Sequence, residues 1–352
     1  MDAACLQLDY VSSDELRARS GSWWHGVLGV VGFERPPLID QAQVPVTASM
    51  TRRLGMTPSS GAADEFCEVW RVTGGRDLAS STAMRGHGRL LFRHCDELLF
   101  GSMTIDEGGF PGNRAAALVH ATTVAYREIF QLLEETRHRH LLRIWNTLPE
   151  INREAGGDER YRHFNAARQA AFRDSGRSTV GTVPAASALG SPAGSPISIY
   201  FLASSRAPTA IENPRQTSAY HYPRQFGACS PTFSRASVLR HANGANLFVS
   251  GTASIIGHES VHRGDVAAQT LETLTNINAV LGEANRVIGA ARYSLAALKF
   301  KVYVRRPADR AAVERALTAT LPASTAIVYV QADVCREELL VEIEAVGDSN
   351  HG

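Results

Sequence analysis

The chain has 352 residues, 44% of them hydrophobic and 20% charged, a globular composition with room for two domains or one domain of duplicated halves. Lys plus Arg number 36 against 35 Asp plus Glu, so no strong field draws nucleic acid or an anionic membrane surface. Five cysteines (Cys5, Cys67, Cys95, Cys229, Cys335) stand far apart without a CxxC pair; this argues against a disulfide framework or zinc ribbon and for reduced thiols in a cytoplasmic protein.

The opening residues, MDAACLQLDYVSSDELRARSG, have neither a basic start nor an apolar core, so no signal peptide is expected. No apolar run is long enough for a membrane helix. SGSWWHGVLGVVGF (20–33) reads as a short strand with turns, and a Pro-rich loop follows at Pro36, Pro37 and Pro45. HGRLLFRHCDELLFGSM (87–103) alternates enough for one or two strands. Beyond the turn signal EGGFPGN, Ala117, Val119, Thr123, Ile129, Leu132 and Leu133 follow a helical period over about 114–136. HLLRIWNTLP (140–149) reads as a buried strand and 158–172 as a helix. A Gly/Ser/Pro-rich connection (176–196) leads to the strand ISIYFLA (197–203), and a loop with tyrosines and arginines, suggestive of a binding surface, runs from 204 to 235.

The second half is plainer. LFVSGTASI (247–255) is a strand, GHESVHRGD a turn, and Asp265 can cap a helix to about Asn285. LKFKVYV (298–304) places Leu298, Phe300, Val302 and Val304 on one face and Lys299, Lys301 and Tyr303 on the other. A helix with Pro307 near its start follows, then strands AIVYVQA (326–332) and ELLVEIEAV (338–346). Strand, long helix, strand, shorter helix, strand thus occurs twice. The pattern predicts an α/β (α+β) fold of two degenerate βαβαβ halves, their long helices packed on one face of mixed sheets.

Twelve histidines invite a metal reading, but there is no HExxH, and His258 and His262 sit in a turn where exposed side chains are the plainer account. GxSxG, the P-loop and a post-strand GxGxxG are all missing from the sequence, which weakens serine hydrolase, NTPase and dinucleotide readings. Only Lys299 and Lys301 are lysines; the other 34 basic residues are arginines. Tyr161 and Arg168 lie two helical turns apart and project the same way, and Tyr222 and Arg224 share the 204–235 loop. Paired guanidinium groups suit planar carboxylates, so Arg168 and Arg224 either hold a small dicarboxylate or are surface residues. In LLVEIEAV, Glu342 and Glu344 share a face with Leu340. Glu342 is then either a solvent-facing residue of an edge strand or a desolvated carboxyl kept protonated as a general acid. Cys335, seven residues earlier, reads by default as a small buried thiol.

LFVSGTASI, GDVAAQTLETLTNINAVL, LKFKVYVRRPADRAAVERAL and LLVEIEAV together resemble the Rid/YjgF (reactive-intermediate deaminase) fold over about 246–346. More specifically, HLLRIWNTLPEINRE, GDERYRHFNAAR, HYPRQFGACSPTFSRA, SGTASIIGHES and ADVCREELLVEIEA resemble the chorismatases over about 85–346. The resemblance implies an N-terminal extension (1–84) packed on a first Rid-like half (85–205), a connecting substrate-binding loop (206–245) and a second Rid-like half (246–352) carrying the catalytic acid. It further implies cleavage of chorismate with release of pyruvate, without metal or organic cofactor, by a monomer or a Rid-like trimer that engages neither nucleic acid nor membrane. Glu342 becomes the acid that protonates the enolpyruvyl methylene, and Tyr161, Arg168, Tyr222 and Arg224 the substrate-holding residues. Gly251 and Ala253 lie in the SGTAS segment that helps separate product branches, and a cysteine at 335 is similar to the 3-hydroxybenzoate-forming branch. The hydrolytic branch, giving a dihydroxycyclohexadiene carboxylate, is the alternative. A Rid-like metabolite-binding or imine-deaminating role fits less well, because the one arginine in AIVYVQADVCRE, Arg336, stands too close to Glu342 for the Rid spacing.

Overall fold

The computed structural model describes residues 5–39, 41, 43–57, 65–73, 77–85, 87–242 and 244–347. The extreme residues of the first and last expected segments, 1–4 and 348–352, lie outside them.

The N-terminal stretch supplies β1 (Cys5–Ser12), α1 (Ser13–Ala18), β2 (Val27–Phe33), β3 (Val46–Ser49), β4 (Arg52–Thr57), β5 (Phe66–Thr73) and β6 (Ala79–Arg85). The first half proper consists of β7 (Gly88–His94), β8 (Leu98–Ile105), α2 (Arg114–Glu135), β9 (His140–Pro149), the hairpin β10 (Glu154–Ala155) and β11 (Asp158–Glu159), α3 (Arg160–Asp174), β12 (Ala185–Ser191) and β13 (Ile197–Ser204). Next come β14 (Thr209–Ile211), β15 (Ala236–His241), β16 (Gly244–Thr252) and the hairpin β17 (Ile255–Ile256) and β18 (Glu259–Ser260). The chain finishes with α4 (Val266–Ile288), β19 (Leu298–Val304), α5 (Arg310–Thr318), β20 (Ile327–Gln331), β21 (Asp333–Val334) and β22 (Val341–Gly347).

Local chemistry starts and stops the long helices where the sequence signals them. Asn113 caps α2 by accepting from the Ala116 N–H (3.0 Å), and Asp265 does the same for α4 from Ala268 (3.0 Å). Gly289, in the left-handed region at φ 78°, ends α4. Among the described residues no helix is long and apolar enough to cross a membrane.

Two seven-stranded sheets carry the architecture, in orders β21-β12-β9-β13-β8-β7-β6 and β14-β15-β16-β22-β19-β20-β4. Their inner five strands correspond one to one, β12-β9-β13-β8-β7 to β20-β19-β22-β16-β15, with β9/β12 and β19/β20 as the parallel pairs. The repeat expected as βαβαβ is therefore ββαβαββ. The strands it lacked, β12 and β15, fall in segments that read as linker. β12 is AASALGS, every residue buried; its small side chains, which mimic a linker in composition, let it pack closely. A Cβ at Gly190 would lie 2.6 Å from the Cβ of Asp333. The expected loop 204–235 also contains β14, an edge strand of the second sheet.

Helices cover one face of each sheet. α2 and α3 pack on the first through Leu118, Tyr126, Ile129, Phe164 and Phe172, and α4 and α5 on the second through Leu274, Ile277, Leu281, Val313 and Leu317. The uncovered faces turn toward one another and enclose Trp145, Tyr200, Phe248 and Val346, with Leu6, Leu28 and Trp70 from a four-stranded sheet, β1-β5-β2-β3, closing one side. The N-terminal stretch thus joins several sheets: β4 extends the second large sheet along β20, and β6 extends the first along β7.

Candidate active site

Strand alternation sends Val341, Ile343 and Ala345 into the core under α4, and Glu342 and Glu344 to the inter-sheet face. β22 lies between β16 and β19, so Glu342 is on a central strand and is buried; the edge-strand reading does not hold. Opposite the two glutamates on β19 stand Tyr303, across from Glu342, and Lys301, across from Glu344.

The two carboxyls have different company. Glu344 accepts from Arg143 Nη2 (2.6 Å), Trp145 Nε1 (2.7 Å) and Ser187 Oγ (2.8 Å), and pairs with Lys301 Nζ at 2.7 Å. Burial opposes its charge, but Lys301 and Arg143 outweigh burial and hold the carboxyl below its ordinary range. Among the described residues no hydrogen bond to the Glu342 carboxyl is formed. Burial, reinforced by the Glu344 charge, pushes Glu342 up to about 8 against the partial relief of Arg143, Arg235 and Arg305. One carboxylate is fixed as an anion and its neighbour is kept protonated near neutrality, the arrangement that separates acid from anion in carboxylate pairs.

Glu342 opens onto a cavity of about 500 Å³ that Tyr161, Tyr222, Arg235, Gly251, Ala253, Cys335 and Arg336 also line, a size suited to a small metabolite. The β16–β22 register shifts between Val249 and Thr252, a bulge beside the site. Gly251 sits in it, and a Cβ there would overlap the Glu342 carboxyl; the absent side chain lets the acid lie against backbone. The hairpins β10–β11 and β17–β18 contribute Glu154, Asp158, Glu159 and Ile255 to the wall. Burial, with Glu342 adding to it, pushes the Cys335 thiol up to about 12, so it is uncharged. Burial and Cys335 likewise raise the Tyr161 phenol.

Tyr161, Tyr222, Gly251, Ala253, Cys335 and Glu342 are thus brought together from distant segments. Arg168 and Arg224 are not among the lining residues. Arg168 is buried on the core side of α3, donating to Asn165 Oδ1 (3.2 Å) and stacking over Phe164, which packs in the helix–sheet core rather than at the cavity. Arg224 begins a single 3-10 turn and is exposed. Three other arginines face the cavity: Arg162, Arg235 and Arg336. Arg235 donates to Tyr222 Oη (2.8 Å) and the Thr217 carbonyl (2.7 Å), and Arg336 to the His258 carbonyl (2.9 Å) and Ser260 Oγ (3.0 Å). Their guanidinium charges stand at the cavity wall, where they suit an anionic ligand. Arg162 adjoins Tyr161 and Arg336 adjoins Cys335, so proximity to the named residues was the available signal. Arg235 had none, because β15, which it precedes, reads as loop.

Comparison with known proteins identifies the family. Residues 68–203 match the family model described as Chorismatase FkbO/Hyg5-like, N-terminal. The chain is 37% identical over 332 residues, 91% of each chain, to a 3-hydroxybenzoate synthase of Streptomyces hygroscopicus. It is 36% identical to a chorismatase of the same species over 80% of this chain and 79% of that one. The fold superposes on a chorismatase crystal structure with a TM-score of 0.81 at 31% identity, covering 99% of both chains. Sharing fold and sequence over nearly its whole length, this enzyme belongs to the chorismatase family.

Proposed function

We propose that the enzyme converts chorismate to 3-hydroxybenzoate and pyruvate, with Glu342 as the proton donor. The observation that carries this reading is a buried carboxyl, its pKa raised by burial, facing a metabolite-sized cavity that three arginines line. Arg162, Arg235 and Arg336 hold the two carboxylates, taking the part first given to Arg168 and Arg224, while Tyr161 and Tyr222 bound the ring. Glu342 transfers its proton to the enolpyruvyl methylene carbon, making an oxocarbenium ion; positioned acid catalysis of this kind contributes roughly 10²–10⁴-fold. The ring hydroxyl next to the ether carbon then attacks that carbon as the ether C–O bond breaks and the hydroxyl proton leaves, giving an epoxide. Its bond to the original hydroxyl carbon opens, the oxygen is reprotonated, and loss of the ring proton from the former ether carbon aromatises the ring and restores the catalytic proton. Pyruvate and 3-hydroxybenzoate together contain every atom of chorismate, so no water is consumed. The uncharged thiol of Cys335 beside the acid, and the relative named 3-hydroxybenzoate synthase, favour this branch. The hydrolytic branch would add one water and give the dihydroxycyclohexadiene carboxylate.

The test is to incubate the purified enzyme with chorismate, measure pyruvate and identify the ring product by chromatography. Pyruvate is expected with 3-hydroxybenzoate as the main ring product, and Glu342→Gln is expected to lower its release at least about 100-fold. Cys335→Ala should shift the ring product toward the diene more than it slows turnover. Pyruvate release by Glu342→Gln within about threefold of wild type would remove the acid from the mechanism.

A further inference from the structure

The segment carrying Cys335 is gripped by a single guanidinium. After β20 the chain crosses to the first sheet, where β21 pairs with β12 through Val334 opposite Leu189, and then returns to the second sheet as β22. Arg305, directly after β19, lies inside this crossing. Its Nε donates to the Leu339 carbonyl (2.9 Å), and Nη2 to the carbonyls of Val334 (2.8 Å) and Arg336 (2.9 Å). Nη1 donates to Asp333 Oδ1 (2.8 Å) and Asn152 Oδ1 (3.1 Å). A guanidinium has five N–H donors in a rigid plane, and all of them are engaged here. The carbonyls of the residues on either side of Cys335 accept from one nitrogen, so the backbone that carries the thiol is held at both ends by the same group.

Asn152 extends the grip to the opposite wall by donating to Glu159 Oε1 (2.9 Å). At the far end of the segment Gln269 of α4 donates to the Glu338 carbonyl (2.9 Å) and accepts from the Leu340 N–H (2.7 Å). We propose that Arg305 is a positioning residue: it fixes the Cys335 thiol in the cavity and thereby sets how the reaction partitions between ring products. The partition half of this statement rests on the product reading above; the positioning half does not. Lysine cannot take its place, since an ammonium presents three donors at a point rather than five in a fork.

The experiment compares Arg305→Gln, Arg305→Lys, Cys335→Ala and the Arg305→Gln/Cys335→Ala double variant. Without substrate, iodoacetamide labelling of Cys335 is followed by peptide mass spectrometry, with Cys229 as internal reference; with chorismate, the ring-product ratio is measured. Arg305→Gln is expected to label at Cys335 at least fivefold faster with Cys229 unchanged, and to lower the 3-hydroxybenzoate fraction at least threefold, with Arg305→Lys between it and wild type. The double variant should match Cys335→Ala in product ratio, because both changes act through one thiol. Wild-type labelling and product ratio in Arg305→Gln, or additive shifts in the double variant, would overturn the proposal. Should Arg305→Gln fail to fold, Asn152→Ala, which removes one of the five acceptors, is read in the same two assays and is expected to move both the same way. If wild type forms no 3-hydroxybenzoate, the product reading fails, and the labelling still decides whether Arg305 positions the thiol.

Discussion

Glu342 and Glu344 leave β22 in the same direction, and only their partners differ: four donors surround Glu344, while Glu342 meets a glycine and an open cavity. That difference predicts two opposite responses to pH. The folded-state pKa of Glu342, about 8, lies above the ordinary 4.5. Its contribution to stability is therefore complete below about pH 4.5 and is lost as pH rises through 8, by at most about 1.4 kcal/mol per pH unit. Glu342→Gln removes this titration, so its melting temperature should gain on wild type steadily between about pH 5 and 8 and level off above; a constant difference across that range would mean the carboxyl is not shifted. Glu344 is held low, so its contribution is present above its ordinary range and is lost as acid protonates it. In kinetics, kcat/KM should be flat below about pH 8 and fall about tenfold per unit above it, as the acid loses its proton.

At the scale of elements, a bulge and a strand of small residues make room for the acid. β12 brings Ser187 to Glu344 and receives Ser250 of the bulged strand, whose Oγ accepts from the Ala186 N–H (2.9 Å). In the same bulge Gly251 leaves its side-chain space to the Glu342 carboxyl. Gly251→Val places branched carbon where that carboxyl lies and must move one or the other. Pyruvate release should fall at least about tenfold, while urea denaturation places the cost near 1–3 kcal/mol. Unchanged turnover in this variant would show that the acid does not work from this position.

Considered as a whole molecule, two similar halves face each other across a layer that is not purely apolar. Lys301 pairs with both Glu68 of β5 and Glu344, and Arg143 reaches from the first sheet to Glu344 of the second. Tyr200 joins them by donating to Glu68 Oε2 (3.2 Å), and Trp145 stacks on Tyr200 with ring centroids 4.5 Å apart. These groups tie the N-terminal sheet and both large sheets together directly behind the acid. Lys301→Met would leave Glu68 and Glu344 short of a buried counter-charge, a defect of about 3–5 kcal/mol, measurable as a lower urea midpoint. Because the pairs are buried, 0.5 M salt should change wild-type stability by less than about 1 kcal/mol from this source.

Local pattern along the chain was enough to reveal the long helices, the Asp265 cap, the alternating strands around them and the duplication, because these features depend on neighbours a few residues apart. The Glu342 motif was equally legible, as was the family, since both reside in contiguous residues. Local pattern could not disclose β12, whose small residues make sense only against the opposing sheet, or β15, which lies in a segment of loop composition. Nor could it choose among 34 arginines: whether a guanidinium meets the cavity, lies beneath a helix or reaches solvent depends on which distant segments surround it. The charge of Glu342 is the same kind of question. A strand fixes the face on which a carboxyl lies, but its protonation follows from burial and from the anion held beside it by residues of the other half, and folding alone brings those together.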